Sequence, residues 1–414
     1  MATNDHSLWV ERLALNNFRN YASVTVEARA CPQVIAGANG SGKTNLLEAL
    51  SLLAPGQGLR RATFSEIARA NTDGSFAVAA KVHSMQGVAD IGTGLAPSAQ
   101  DFVVGSPLTP TLSPLSEEMG RGSRTGRIVR IDGQAQTGSG ILADYLEIVW
   151  VTPAMDGLFT GPASERRRFL DRLILCFDPA YRKIAGRFER AMTSRNRLLA
   201  DGVRDNAQLS GFEHVMAENG IAVAAARLEA VSAMASIVAR RKQRDPNSAF
   251  PWSDFKLQGN IEDNLAHMPA VEAEDAYARI LRDTRERDRG AGRTLDGPHR
   301  SDLLVGHGPK AMAAHVCSTG EQKALLLGLV LAHAELLTER QEGASPILLL
   351  DEITAHLDQH RRAALFEEIL RLKAQAWMTG TDVQAFEALS GKAQFWSVDE
   401  GIVQAVAEVD QKGV

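Results

Sequence analysis

The sequence predicts an α/β fold with a mostly helical lobe inserted between two α/β parts. Residues 33–53 read as a short apolar strand, a glycine-rich loop and a helix. Ile347–Leu350 is an unbroken apolar run, the pattern of a strand buried on both faces of a parallel sheet. Between them, residues 163–289 repeat apolar side chains at helical spacing. The expected boundaries are 1–160 for the first α/β part, 161–292 for the helical lobe and 293–414 for the return to the α/β body.

Composition supports this. The 414 residues are 44% hydrophobic, 23% charged and 6% aromatic, which excludes wholesale disorder. At roughly 150 residues per domain the length holds two to three domains. Lys and Arg number 45 and Asp and Glu 50, a formal charge of −5, whereas nucleic-acid binders are usually basic. Cys31, Cys176 and Cys317 are far apart and form no CxxC, so neither a disulfide framework nor a zinc site is indicated. Residues 1–11 have no apolar core and do not read as a secretory leader. The longest apolar stretches, 324–337 and 221–239, are interrupted by His333 and Glu335 and by Arg227 and Glu229, short of an uninterrupted membrane span. A cytoplasmic protein with no membrane partner is expected.

In chain order, residues 9–27 read as two strands around a turn at 16–20, with Leu13, Leu15 and Phe18 before it and Val24 and Val26 after. Val34, Ile35 and Ala36 form the strand before the glycines, and Leu46, Leu47, Ala49, Leu50 and Leu53 the apolar face of the helix after them. Residues 98–126 hold Pro107, Pro110, Pro114, Gly120, Gly122 and Gly126 among Ser and Arg, an irregular insertion between strands that resembles a translated mobile repeat. Deleting 99–125 is expected to leave ligand binding at the glycine-rich loop intact. Tyr181, Ile184, Phe188, Ala191 and Leu198 share one helix face, and further helices are expected over 212–242 and 270–285, separated by a loop at Pro246 and Pro251.

Three motifs carry chemistry. Gly37, Ala38, Asn39, Gly40, Ser41, Gly42, Lys43 and Thr44 match G-x-x-x-x-G-K-[ST], the phosphate-binding loop. Glycines let backbone N–H groups surround an anion, and the following helix points its positive end there. Lys43 would reach the β- and γ-phosphates of ATP, and Thr44 would hold Mg²⁺. Asp351 and Glu352 follow the apolar strand, Asp351 as a Mg²⁺-linked ligand and Glu352 as the base for water. Ser318 and Gly320 open a helix, where Ser318-x-x-Glu321 reads either as a plain capping box or as a helix end presented to a phosphate. The order favours the second, with Ser318 33 residues before Asp351.

That order is the signature of ABC-type ATPases, in which the Ser-x-Gly helix completes the nucleotide site of the other subunit. The resemblance implies an ABC-type ATPase head, the helical lobe lying between phosphate loop and signature helix, and a head-to-tail homodimer around two ATPs. More closely, the chain resembles the RecF family of bacterial recombination mediators, relatives of SMC and Rad50. The opening Leu13-x-Leu15-x-Asn17-Phe18-Arg19-Asn20-Tyr21, Gly161-Pro162-x-x-x-Arg166-Arg167-x-Phe169-Leu170-Asp171, Gly297-Pro298-His299-Arg300-x-Asp302-Leu303, Ser318-x-Gly320-Glu321-Gln322-Lys323 and Leu350-Asp351-Glu352 with Leu357-Asp358 carry it. It implies that Arg19 and Asn20 contact the nucleotide and that Asp358 sits at the dimer seam beside the hydrolytic water. It implies DNA at single-strand gaps as substrate, RecR and RecO as partners, and RecA loading as output. Where ABC transporters carry a switch histidine, this chain reads Met378-Thr379-Gly380-Thr381-Asp382, with Thr379 or Thr381 facing the γ-phosphate. Slow turnover, with ATP as a switch, follows. Two other classes stay open: another SMC-like ATP-driven clamp, and a DNA-binding scaffold that barely splits ATP.

Residues 161–200 hold ten basic and four acidic residues, a net +6. Such a run is usually a solvated face. Ser164 as N-cap would place Arg166, Arg167 and Arg168 in a first helical turn, where cations oppose the dipole and call for a carboxylate or an anionic ligand. A DNA-backbone contact by part of the cluster is expected, weakened by charge reversal at Arg187 and Arg190. His299 is expected to be structural.

Overall fold

The computed structural model describes residues 8–96 and 126–406. The apolar strand Ile347–Leu350 is at most 1% exposed at every residue and pairs in parallel with Ala376–Gly380 on one side and Ile148–Val151 on the other. It belongs to a six-stranded sheet in the order Ile402–Val406, Gln394–Asp399, Gln33–Ala36, Ala376–Gly380, Ile347–Leu350, Ile148–Val151. All its pairings are parallel except the Gln394–Asp399 and Ile402–Val406 hairpin. The phosphate-loop strand Gln33–Ala36 is therefore internal, and the helix Lys43–Ser51 leaves from its carboxyl end.

The opening strands Trp9–Phe18 and Tyr21–Glu27 form a hairpin whose two-residue turn is Arg19-Asn20. They start an antiparallel sheet continued by Phe76–Ser84, Gly87–Leu95, Ile128–Ile131 and Gln134–Ala135. Gly87–Leu95 and Ile128–Ile131 are hydrogen-bonded neighbours, so the chain between them is an insertion in a hairpin; the irregular segment expected at 98–126 lies almost wholly outside the described residues. Buried Gln375 ties the two sheets: its Oε1 accepts from Val10 N, and its Nε2 donates to Val10 O and Arg29 O, each at 2.9 Å.

The chain folds into two compact units: Met1–Ala154 with Leu337–Val414, which holds both sheets, and Met155–Leu336. The second unit carries the helices Ala163–Phe177, Tyr181–Ala200, Asn206–Arg244 and Ala270–Asp283. Its core brings Phe188, Met216, Ile221, Ala224, Tyr277 and Leu281 together. Where the sequence places the end of the helical block at 292, this unit continues to Leu336. The reason is a strand hidden in the expected helical stretch: Ser253–Gln258 pairs with Asp302–His307 and so holds the chain beyond 292 in the same unit. Period-two patterning of Phe255 and Leu257 over six residues is too short to stand out beside long helices.

Local corrections are small but chemical. Pro162, and not Ser164, occupies the N-cap of Ala163–Phe177, which puts Arg166 beyond the first turn. The stretch containing 221–239 lies in the 39-residue helix Asn206–Arg244, which by length and composition alone would suffice to cross a membrane. It is a core helix here: Met216, Ala217, Ile221 and Ala224 are buried, and Arg227 inside it binds both carboxylate oxygens of Asp171. His299 is a turn residue, its Nε2 3.0 Å from Thr294 O and its ring tilted on Phe188.

Candidate nucleotide-binding site

Two segments 307 residues apart in sequence meet at one atom. Thr44 Oγ1 donates to Asp351 Oδ1 at 2.9 Å, and Thr379 Oγ1 donates to the same oxygen at 2.7 Å. The three residues come from the first turn of the phosphate-loop helix and from the carboxyl ends of two adjacent parallel strands, the edge where open α/β sheets bind ligands. Asp351 is 4% exposed and Thr379 fully buried. Thr379 Oγ1 also accepts the backbone N–H of Glu352 at 2.8 Å. Glu352 has φ 46°, left-handed for a residue with a side chain, so the chain turns sharply right after Asp351.

The loop is braced from outside. Asn20 Nδ2 donates to Ser41 O at 3.0 Å, and Tyr21 Oη donates to Gly42 O at 3.0 Å. Gly42 has φ 118°, and a Cβ there would lie 2.5 Å from Asn20 Nδ2, so only glycine fits under the hairpin turn. Lys43 Nζ donates to Gly37 O at 2.7 Å and Ala38 O at 2.8 Å, holding its charge inside the loop. Burial lowers the Lys43 ammonium, opposed by the carboxylates of Glu352 and Asp351. Ser41 Oγ is buried with no partner among the described residues. A hydroxyl, a carboxylate, a lysine held within the glycine-rich loop and a helix N-terminus form a set that suits a phosphate chain with a hard, oxygen-seeking cation.

The other expected residues make the following contacts. Arg19, with φ 54°, directs its guanidinium onto Glu48, Nε to Oε2 at 2.8 Å and Nη2 to Oε1 at 2.6 Å, and Nη1 onto Glu66 O at 2.7 Å. Asn20 is held between Ser41 O and Asn45 Nδ2. Asp358 caps the helix Gln359–Leu372, accepting Arg361 N at 2.8 Å, which holds its carboxyl below the usual range. Thr379 is engaged by Asp351 and Glu352, while Thr381 is exposed. Ser318 and Gly320 lie in the second unit. There Ser318 makes the capping box: Ser318 N and Oγ each lie 2.9 Å from Glu321 Oε2, and Glu321 N donates to Ser318 Oγ at 3.4 Å. Lys310 binds the same carboxylate and, with Ser318, lowers it to about 2.

Sequence reasoning passes over Glu48 and Arg60. Glu48 is 1% exposed and serves Arg19 and Arg60 together. An acid among Leu46, Leu47, Ala49 and Leu50 is the available signal, since a buried carboxylate demands a cation.

Fold and site together define an ATP-binding head of the SMC type, within the ABC ATPases. The model for the RecF/RecN/SMC N-terminal domain matches residues 9–402. The chain is 49% identical over 394 residues to the DNA replication and repair protein RecF of Mesorhizobium japonicum, covering 95% of this chain and 97% of that one. It is 50% identical over 393 residues to that of Brucella suis, at 95% of each. The chain belongs to the RecF family of DNA replication and repair proteins. A solved structure of the recombination mediator RecF with ATP, in the RecFOR pathway, superposes with TM-score 0.75 at 21% identity, over 97% of this chain and 100% of that one. An SMC head from Pyrococcus furiosus gives 0.51 at 17%, over 96% of each chain. At these identities the likeness shows the fold.

Proposed function

We propose that this chain is a cytoplasmic recombination mediator that uses ATP as a switch for DNA binding. Asp351 Oδ1, shared by Thr44 and Thr379, is the observation that carries it, because it joins the phosphate loop to the acidic strand. The loop 37–44 holds the triphosphate, with Lys43 turning from its own carbonyls to the β- and γ-phosphates. Thr44 and Asp351 would hold Mg²⁺, which supplies positive charge against the developing phosphate charge. Glu352 orients the attacking water, and Thr379 fixes its backbone and the Asp351 carboxylate together. In a head-to-tail homodimer, Ser318 and Gly320 of one copy complete the site of the other, with Asp358 at the seam.

Bound ATP closes the dimer on DNA beside a single-strand gap, and hydrolysis opens it. RecR and RecO join it there to load RecA. Thr379 lacks the proton chemistry of an imidazole, which supports slow, DNA-stimulated turnover. Contacts to phosphate and shape account for recognition, since no base-reading motif is present in the sequence.

The test compares ATP hydrolysis by wild type and Glu352→Gln with and without gapped DNA. DNA-stimulated turnover in wild type, and its loss in the variant with ATP still bound, is expected. Equal rates would overturn the assignment of Glu352. Retained ATP affinity in Lys43→Ala would overturn the site itself.

A further inference from the structure

The second unit uses most of its arginines internally. Arg166 binds Asp302, Arg168 binds Glu165, Arg195 binds Glu213 and Asp288, Arg227 binds Asp171, and Arg241 and Arg244 bind Glu335. The helix Tyr181–Ala200 departs from this. Its buried face is Tyr181, Phe188, Ala191, Arg195 and Leu199. At ~100° per residue, Lys183, Arg187, Arg190 and Arg197 fall within one narrow arc turned away from that face. All four are exposed. Lys183, Arg187 and Arg190 have no hydrogen-bond or ion-pair partner among the described residues, whereas Arg197 stands 3.8 Å from Asp201.

No carboxylate lies three or four residues from Lys183, Arg187 or Arg190, so the helix offers no local pairing. Glu189 is exposed but falls outside the arc. Instead, Lys183 and Arg187 at i,i+4 and Arg187 and Arg190 at i,i+3 repel one another along the helix. Arg190 folds back over Gly186, its Nη1 3.1 Å from where a Cβ would stand. The sequence thus accepts a destabilising like-charge row that nothing inside the unit relieves.

We infer that this row is a binding surface for a nucleic-acid phosphate backbone. Residues 183 to 197 span about 21 Å at ~1.5 Å per residue, a length over which one strand of duplex DNA presents a phosphate about every 3.4 Å. A row of cations along one helix face, in steps of 4, 3 and 7 residues, matches that repeating charge in sign and in reach. The inference rests on the proposed DNA-binding function and assigns it a surface; it separates the free cations of the +6 segment from those that hold the unit together.

The test titrates a fluorescently labelled duplex of mixed sequence with the full-length chain and ATP across a salt series. The triple variant Lys183→Gln, Arg187→Gln, Arg190→Gln is set against wild type and a charge-keeping variant, Lys183→Arg, Arg187→Lys, Arg190→Lys. If each cation meets one phosphate, the neutral variant loses about 2 to 3 from the slope of log affinity against log salt. Its affinity falls at least tenfold, while ATP affinity stays at the wild-type value and the urea midpoint does not fall, since removing the like-charge repulsion can only raise it. The charge-keeping variant retains the wild-type slope. Unchanged affinity and slope in the neutral variant, with wild type binding DNA, would overturn the inference and reassign the row to an acidic protein surface. A wild-type chain that binds no DNA would overturn the proposed function as well.

Discussion

Arg166 lays its guanidinium along the carboxylate of Asp302, Nε to Oδ1 at 2.7 Å and Nη2 to Oδ2 at 2.8 Å, across 136 residues of sequence. Its remaining Nη1 donates to Gly161 O at 2.6 Å. Beside it, Arg167 donates to Ser301 O, and Arg227 joins Asp171 to Pro298 O and Ser301 Oγ. Two blocks that look independent in the sequence, 161–171 and 297–303, are therefore one clasp within the second unit. Arg166→Ala should destabilise that unit by about 2–3 kcal/mol, because it leaves a largely buried carboxylate unpaired. Arg166→Lys should recover only part of it, lacking the fork that spans both oxygens. Urea unfolding followed by far-UV circular dichroism measures both; a loss below about 0.5 kcal/mol in the alanine variant would count against the clasp.

Thr379 gives a catalytic prediction. Its hydroxyl holds Asp351 Oδ1 and the Glu352 N–H, so Thr379→Val removes the support of both acids without changing their identity. Loss of such a supporting hydrogen bond typically costs about 10- to 100-fold. We expect kcat for ATP to fall by that factor with little change in KM. A rise in KM at constant kcat would show instead that Thr379 serves nucleotide binding.

Glu48 gives a prediction about the opening turn. Its buried carboxylate spans Arg19 and also receives Arg60 at 3.3 Å. Glu48→Gln keeps the shape but removes the charge, and two cations then lose their common partner. Stability should fall by about 1–3 kcal/mol. The left-handed turn at Arg19-Asn20 should loosen its hold on Ser41 O, and the KM for ATP should rise while kcat changes less. Unchanged KM and stability would mean that the turn holds the loop without Glu48.

Glu147 gives a pH dependence. It precedes the strand Ile148–Val151, its Oε2 has no partner among the described residues, and burial pushes its carboxyl up to about 8, with the Gln341 side chain pulling slightly the other way. A folded value above the unfolded 4.5 means that the native state binds the proton more tightly. The contribution is full below pH 4.5 and is lost progressively as pH rises toward about 8. Glu147→Gln should remove this slope. The variant should gain on the order of 3–4 kcal/mol over wild type between about pH 5 and pH 8, measured by urea unfolding at each pH. Parallel curves for the two proteins would exclude a raised Glu147.

Much of the site is legible because its signals are local. The loop 37–44 needs glycines at fixed positions, and the strand before Asp351 needs an apolar run, so both show in a short window of sequence. The same holds for the capping box at Ser318 and Glu321, a contact between residues three apart. Less legible are the roles of Arg19, Thr379 and Asp358. Each makes a hydrogen bond besides its expected role, and for Arg19 and Thr379 the partner lies 28 or 29 residues away.

The basic segment shows the same division. By itself the sequence determined the α/β class, the phosphate loop, the acidic strand and a net +6 over 161–200 in a chain of charge −5. Only the tertiary structure decided which of those cations are internal ties and which face solvent. Arg166 and Arg195 look like Arg187 and Arg190 in composition, yet the first pair meets Asp302 and Asp288 and the second pair meets no carboxylate among the described residues. The physical reason is that helix periodicity is written in neighbouring residues, whereas an ion pair depends on which distant segment the fold brings alongside.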